Sequence, residues 1–265
     1  MNNLIHVRCP KELQFLRPVV VEDMQRIGNS TDGGYVMTLA TIKKCDGLIS
    51  LGLGENWSFE SAVSKIKPNA KIAIFDHTVS FSFFAIKASK GLVKFLLFQD
   101  SKRNFLARFT RLRNYYTFWI KSPNNRHHKI QITNDTFEEV LSSQPSEKIL
   151  GLKIDIEGSE WEILDSIVKN QTRFGFLLIE IHDFDRHVEQ LRTFLGDISE
   201  NFVLAHLHGN NFESVGANGF PKVFEVTLLR ASDIATSGEL RNELPIPGLD
   251  TPNAKNRPDF IIGFK

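Results

Sequence analysis

The stretch Lys148-Ile-Leu-Gly-Leu-Lys-Ile-Asp-Ile-Glu-Gly-Ser-Glu160 constrains the fold more than any other part of the chain. Its apolar run suits a buried strand, and it breaks off in Asp155, Glu157 and Glu160. A carboxylate is costly to bring near a core unless it is paired, hydrogen-bonded or bound to something. In open α/β sheets, ligands bind at the carboxyl ends of the strands. This strand end is therefore expected to carry chemistry as well as architecture.

Similar runs recur along the chain. Gly47–Leu51 reads as a strand that ends in Gly52-Leu-Gly54, and Phe59, Ala62, Val63 and Ile66 follow at helical spacing. Lys71–Phe75 is a second strand, ending at Asp76, followed by a helix carrying Phe81, Phe84, Ala85 and Ala88. Leu92–Phe98 is a third strand candidate. After the run to Asp155 comes a helix with Trp161, Leu164, Ile167 and Val168. Phe176–His182 is the next strand, followed by a helix with Val188, Leu191, Phe194 and Leu195. Phe202–His208 and Val223–Leu229 close the series, with a loop rich in Asn and Gly over 209–222. Continuous apolar strands alternating with helices imply a mostly parallel sheet covered on both faces. The tail over 231–265 holds Pro245, Pro247, Pro252 and Pro258 and is expected to be irregular wrapping.

The segment 101–130 differs from the rest. It holds eight basic residues, from Lys102 to Lys129, and no acid. Phe105, Phe109, Leu112, Tyr116 and Trp119 step along one face of a helix whose reverse side is basic. The plain expectation is a helix packed over the sheet with a solvated basic face. The sharper one is a lid, or a surface for an anionic partner or a membrane.

Composition closes off other classes. With a net charge of +1, no whole-protein field for nucleic acid is expected. Cys9 and Cys45 are the only cysteines, which is no disulfide framework and favours a reducing compartment. The stretch Met1–Arg8 lacks the apolar core of a signal peptide, and no run approaches the roughly 20 apolar residues of a membrane span. A soluble, cytoplasmic protein is expected.

Glycines between strand and helix let the backbone turn tightly and approach a ligand. Gly52 and Gly54 fit that role, and Asp76, 22 residues beyond Gly54, fits an acceptor for both hydroxyls of a ribose. Trp57 stands where a dinucleotide fingerprint wants a third small residue, and Glu55 puts a negative charge where a phosphate would sit. A nucleoside ligand without phosphate, such as S-adenosylmethionine, fits better than a nicotinamide dinucleotide.

At the sheet's carboxyl edge Asp155, Glu180 and His182 are expected on neighbouring strand ends, with His206, His208 and Asn210 ending the following strand. Asp155 and Glu157 alternate, so in an extended strand they face opposite sides. The cluster suits a general base, His182 or Asp155. It also suits an oxygen–nitrogen metal site of Asp155, Glu180 and His182 or His208. The plain alternative for Asp155 is a turn acceptor for the helix at Ser159, and Glu160 and Glu162 are expected to stabilise that helix's first turn.

From about Gly28 to Arg230 the sequence resembles the FkbM-type methyltransferase domain, a class I S-adenosylmethionine-dependent family. The resemblance rests on Leu152-Lys-Ile-Asp-Ile-Glu-Gly-Ser-Glu160 with Ile163 and Leu164, on Ile179-Glu-Ile-His182, and on Thr136–Val140. Asp32-Gly-Gly-Tyr35 and His208-Gly-Asn-Asn211, with Pro221 and Glu225, look like features of one branch. Where the family's first motif commonly begins with aspartate stands Ser50, and its later glycine is Asn56. The expected fold is a single Rossmann-like α/β domain over 1–265, its seven-stranded sheet mostly parallel with the last strand antiparallel. The glycine turn and the strand-end cluster are expected to supply cofactor contacts from Gly34, Tyr35, Gly52, Gly54, Glu55, Asn56 and Asp76, and catalytic roles for Asp155, Glu180 and His182. O-methylation of a glycan or small natural product is the implied activity. A metal-dependent hydrolase, a nicotinamide oxidoreductase and a non-catalytic adenosyl-binding module are the alternatives.

Overall fold

The computed structural model describes residues 4–145 and 148–264. Met1, Asn2 and Asn3 of the stretch Met1–Arg8, and Lys265 of the tail, lie outside the described residues. A seven-stranded sheet forms the centre. Its strands, numbered within that sheet, are β1 (Gly47–Leu51), β2 (Lys71–Phe75), β3 (Asn125–His128), β4 (Leu150–Ile154), β5 (Phe174–Ile181), β6 (Phe202–Gly209) and β7 (Phe224–Arg230). The spatial order is β3-β2-β1-β4-β5-β7-β6. The pairs from β3 through β5 are parallel, and β7 runs antiparallel to both of its neighbours. The fold is the expected Rossmann-like one.

The unbroken apolar runs reflect two-sided burial. All eight residues of β5 are buried, and Leu177 and Leu178 belong to different core clusters. The first cluster joins the sheet to α5 (Asn134–Ser142), α6 (Glu160–Lys169) and α7 (Val188–Asp197) through Phe137, Ile163, Ile167 and Leu191. The second includes Ile42 of α1 (Leu39–Lys44), Phe59 of α2 (Ser58–Ile66) and Phe84 of α3 (Phe81–Leu96). Each such side chain contributes about 1.5–3 kcal/mol on leaving water.

Three segments depart from expectation. Leu92–Phe98 is not a strand; it completes α3 and its C-terminal turn. Ser80 caps that helix by accepting from the Phe83 N–H at 3.2 Å, and the Phe84, Ala88, Gly91 spacing continues its buried face. A short apolar run alone does not separate strand from helix. The third sheet position belongs instead to Asn125-Arg-His-His128, an edge strand that needs no apolar pattern. In the tail, Thr236–Leu240 pairs antiparallel with Val19–Val21, and Phe260–Gly263 pairs in parallel with Ile5–Arg8. These partners lie so far apart in sequence that local periodicity carries no trace of them.

The basic segment divides. Its first part is α4 (Lys102–Tyr115) followed by a five-residue π-helical turn, Tyr116–Ile120. Helix α4 packs against α3, where Phe95 stacks on Phe105 with centroids 5.2 Å apart. Gly91 leaves room for the Arg108 side chain of α4: a Cβ there would lie 2.8 Å from its Cδ. Tyr115 and Trp119 are buried, but Phe109 and Tyr116 of the expected inward face are exposed. No helix among the described residues is long and apolar enough to cross a membrane.

Candidate active site

The glycine bend is fixed by close contact. Gly52 has φ +86°, and a Cβ there would lie 1.7 Å from the Asp155 carbonyl oxygen. Only glycine lets the end of β1 press against the end of β4. Gly54, at φ +51°, has open space where its Cβ would be. The Leu53 and Gly54 N–H groups both donate to Asp76 Oδ2, each at 2.9 Å. The Thr78 N–H and hydroxyl donate to Asp76 Oδ1 at 2.7 and 2.6 Å. Burial would raise the Asp76 carboxyl, but these donors hold it below its ordinary value. The four donors fill the carboxylate's acceptor positions.

The rest of the turn is tied down. Glu55 pairs with Lys87 of α3 and Arg111 of α4; despite partial burial, these cations hold its carboxyl below the usual value. Asn56 donates to the Asp32 carbonyl at 2.8 Å, and the Ser58 hydroxyl donates to the Gly33 carbonyl at 2.8 Å. Trp57 packs edge-on to Phe84 and Tyr115.

Beneath the bend lies a buried ion cluster. Lys153 donates to the Gly52 carbonyl at 3.3 Å and stands 3.6 Å from Asp155 Oδ2 and 3.9 Å from Glu60 Oε1. Burial alone would lower this ammonium, but Asp155, Glu60 and Glu180 raise it above its ordinary value. The Ser50 hydroxyl donates to Glu60 Oε1 at 2.6 Å. A carboxylate delivered by α2 is thus held beside Ser50 on β1.

At the tip, β4 stops at Ile154 and the chain turns, with Glu157 at φ 55°. Because the strand is not extended here, Asp155 and Glu157 are not held on opposite sides as expected. Donor atoms of Asp155, Glu157 and His182 come within 4.8 Å of one another. His182 is held on three sides. Its N–H donates to Glu160 Oε1 at 2.7 Å, its Nδ1 lies 3.2 Å from the same oxygen, and the Trp161 indole N–H donates to its carbonyl at 3.0 Å. Glu160 therefore orients His182 rather than merely stabilising a helix turn. Burial would lower the imidazole, but Glu160, Glu180 and Asp155 raise its pKa to about 9.

Glu180 is buried and accepts from Asn210 Nδ2 at 2.6 Å; burial and the charges of Asp155 and Glu225 push its carboxyl well above the ordinary range. His208 departs from the expected metal set. It is buried away from the tip, with Nε2 3.5 Å from Asp259 Oδ2. The convergent trio contains Glu157 in place of Glu180 and His208.

One cleft of about 770 Å³ is lined by Tyr35, Gly52, Gly54, Glu55, Asn56 and Asp76, and also by Asp155, Glu180 and His182. Gly34 lies outside this wall, where a Cβ would strike the Asn29 carbonyl oxygen at 2.0 Å; its neighbour Gly33 lines the cleft instead. Lys153 and Glu60 belong to the site although the sequence reading gave neither a role, and Glu160, expected only to stabilise a helix turn, positions His182. The alternation of Lys153 with Asp155 was the available signal for the first. For Glu60, buried on α2, no sequence signal existed.

A doubly covered sheet, a glycine bend on its central strand, an acid ending the next strand and a charged tip beside them define a Rossmann-like nucleoside-binding enzyme class. The methyltransferase FkbM domain matches residues 34–210. The chain belongs to that family of S-adenosylmethionine-dependent methyltransferases, so neither nicotinamide nor hydrolase chemistry is its family activity. The match ends before Pro221 and Glu225. No curated protein matches the chain. Among solved structures, precorrin-6y C5,15-methyltransferase from Geobacter metallireducens is similar at 14% identity and TM-score 0.37, over 73% of this chain and 85% of that one. The fibrillarin pre-rRNA processing protein of Methanococcus jannaschii is similar at 12% identity and TM-score 0.36, over 79% and 83%. An O-methyltransferase family protein from Burkholderia thailandensis is similar at 11% identity and TM-score 0.35, over 76% and 55%. At such scores these likenesses carry no further weight.

Proposed function

We propose that this methyltransferase acts on a hydroxyl oxygen of a glycan or small natural product. The observation that carries the reading is the shared cleft: the glycine bend and the Asp155 tip open into one space. Its volume suits a small-molecule site. S-adenosylmethionine fits the groups present. Asp76 and Thr78 offer polar groups to a ribose, and Asp155 and Glu180 line the same space. A ribose diol must share or displace the Leu53 and Gly54 amides that occupy Asp76.

When bound, the cofactor supplies an electrophilic methyl group on a sulfonium that leaves as a neutral thioether. The protein's task is alignment and one proton transfer. Asp155 accepts the proton from the acceptor hydroxyl as that oxygen takes the methyl group. Protonated at neutral pH, His182 is a donor rather than the resting base. It fixes the acceptor through a hydrogen bond, and Lys153 holds Asp155 in place from below. Glu180, favoured as the neutral acid, offers a further donor to a polyhydroxylated ligand.

The test is product analysis. Incubation with S-adenosylmethionine and a panel of sugars and hydroxylated natural products should yield products whose new methyl group is placed on oxygen by NMR. A methyl group placed on carbon or nitrogen rejects the reading.

A further inference from the structure

We propose that the α3–α4 hairpin is an interfacial anchor that docks on an anionic bilayer, its apolar tip entering the lipid. The proposal stands whether or not the acceptor assignment above is right.

The hairpin inverts the usual placement of side chains. At its tip Leu96, Leu97 and Phe98 are 64%, 59% and 97% exposed. Val93 on α3 and Leu106 and Phe109 on α4 extend this surface down both helices. A contiguous exposed apolar surface marks an interaction site.

Charge selects the occupant. Lys90 and Lys94 precede the tip and Lys102 and Arg103 follow it, each within about two helical turns. None of these four forms an ion pair with a described residue. The single acid near the tip, Asp100, is already paired with Arg108 and accepts from Asn104 Nδ2 at 2.8 Å. An apolar end flanked by cations that pair with no described residue complements hydrocarbon beneath anionic headgroups. The most exposed apolar residues, Leu96, Leu97 and Phe98, lie where α3 ends, ahead of the start of α4 at Lys102. With no helix able to cross a membrane among the described residues, the hairpin would lie on a bilayer, not span one.

The test is co-sedimentation of the full chain with vesicles of phosphatidylcholine alone or mixed with phosphatidylglycerol. Binding is expected to the mixed vesicles and to weaken with salt. Leu96→Gln, Leu97→Gln and Phe98→Gln together should abolish it without changing S-adenosylmethionine binding or the melting temperature. If that triple variant melts early, Phe98→Gln alone replaces it. Replacing Lys90, Lys94, Lys102 and Arg103 by Gln should weaken binding by roughly two to three orders of magnitude. Absence of sedimentation overturns the proposal. So does equal binding to both vesicle types, or binding that survives loss of the tip, which is mere electrostatic adsorption. Self-association through the tip without vesicle binding overturns it in favour of a second copy of the chain.

Discussion

The strand-end cleft and the α3–α4 hairpin use the same residue types in opposite positions. In the cleft, ionisable groups are buried: Lys153, Glu60, Glu160 and Glu180 are all below one-tenth exposed, and each has a named partner. On the hairpin, apolar side chains are exposed and several cations form no ion pair with a described residue. Burying charge is tolerated only where partners replace water. Exposing apolar surface costs folding energy that a scaffold held together elsewhere can sustain. The cleft is therefore expected to be rigid and sensitive to single-atom changes, and the hairpin robust to folding but sensitive in its contacts.

The comparison breaks first at Asp155. Asp155→Asn removes a proton acceptor while keeping shape, so turnover should fall about 10²–10⁴-fold with S-adenosylmethionine binding retained by calorimetry. Unchanged turnover removes Asp155 as the base. Next, Gly52→Ala puts a methyl group onto the Asp155 carbonyl at a positive φ. It should cost about 3 kcal/mol of stability in chemical denaturation. A neutral result means the two strand ends are not pressed together.

His182 gives the cleft a pH signature. Its folded pKa of about 9 lies above the ordinary value of 6.5. The stabilisation from its proton is therefore complete below pH 6.5 and is lost as pH rises through about 9. The full loss is up to about 3 kcal/mol in denaturation curves. Glu160→Gln removes the ring's closest anionic partner and should flatten this alkaline decline; NMR titration of His182 should show its pKa falling. An unaltered pKa would mean that Glu160 does not orient the ring. Smallest of all, Phe98→Gln should change stability by no more than about 0.5 kcal/mol. A larger loss would show that the tip packs against the protein in solution.

Legibility in the sequence followed burial. β1, β2, β4 and β5 read directly because strands covered on both faces are mostly apolar, and the acids at or just beyond the ends of β2, β4 and β5 stand out against that background. β3 was hidden, since Asn125-Arg-His-His128 pairs on one edge only and needs no apolar pattern. Leu92–Phe98 misled because an exposed apolar helix end looks like a strand core. Among site residues, Gly52, Asp76, Asp155 and His182 stood at strand ends and could be picked out. Glu60 could not: its role depends on α2 folding back over Ser50, a tertiary fact. His208 had the right residue type on the right strand, but its side chain pairs with Asp259 of the tail, whose course no local pattern gave. The ties from Glu55 to Lys87 and Arg111 join the two contrasted regions, and they too became visible only once α3 and α4 were seen to pack together.

A crystal structure with S-adenosylhomocysteine tests the shared cleft most directly. The adenosine should lie over Gly52 and Gly54 with its ribose at Asp76, and the homocysteine sulfur should face Asp155 and His182. A ligand bound elsewhere, or one with its sulfur turned away from Asp155, would contradict the account.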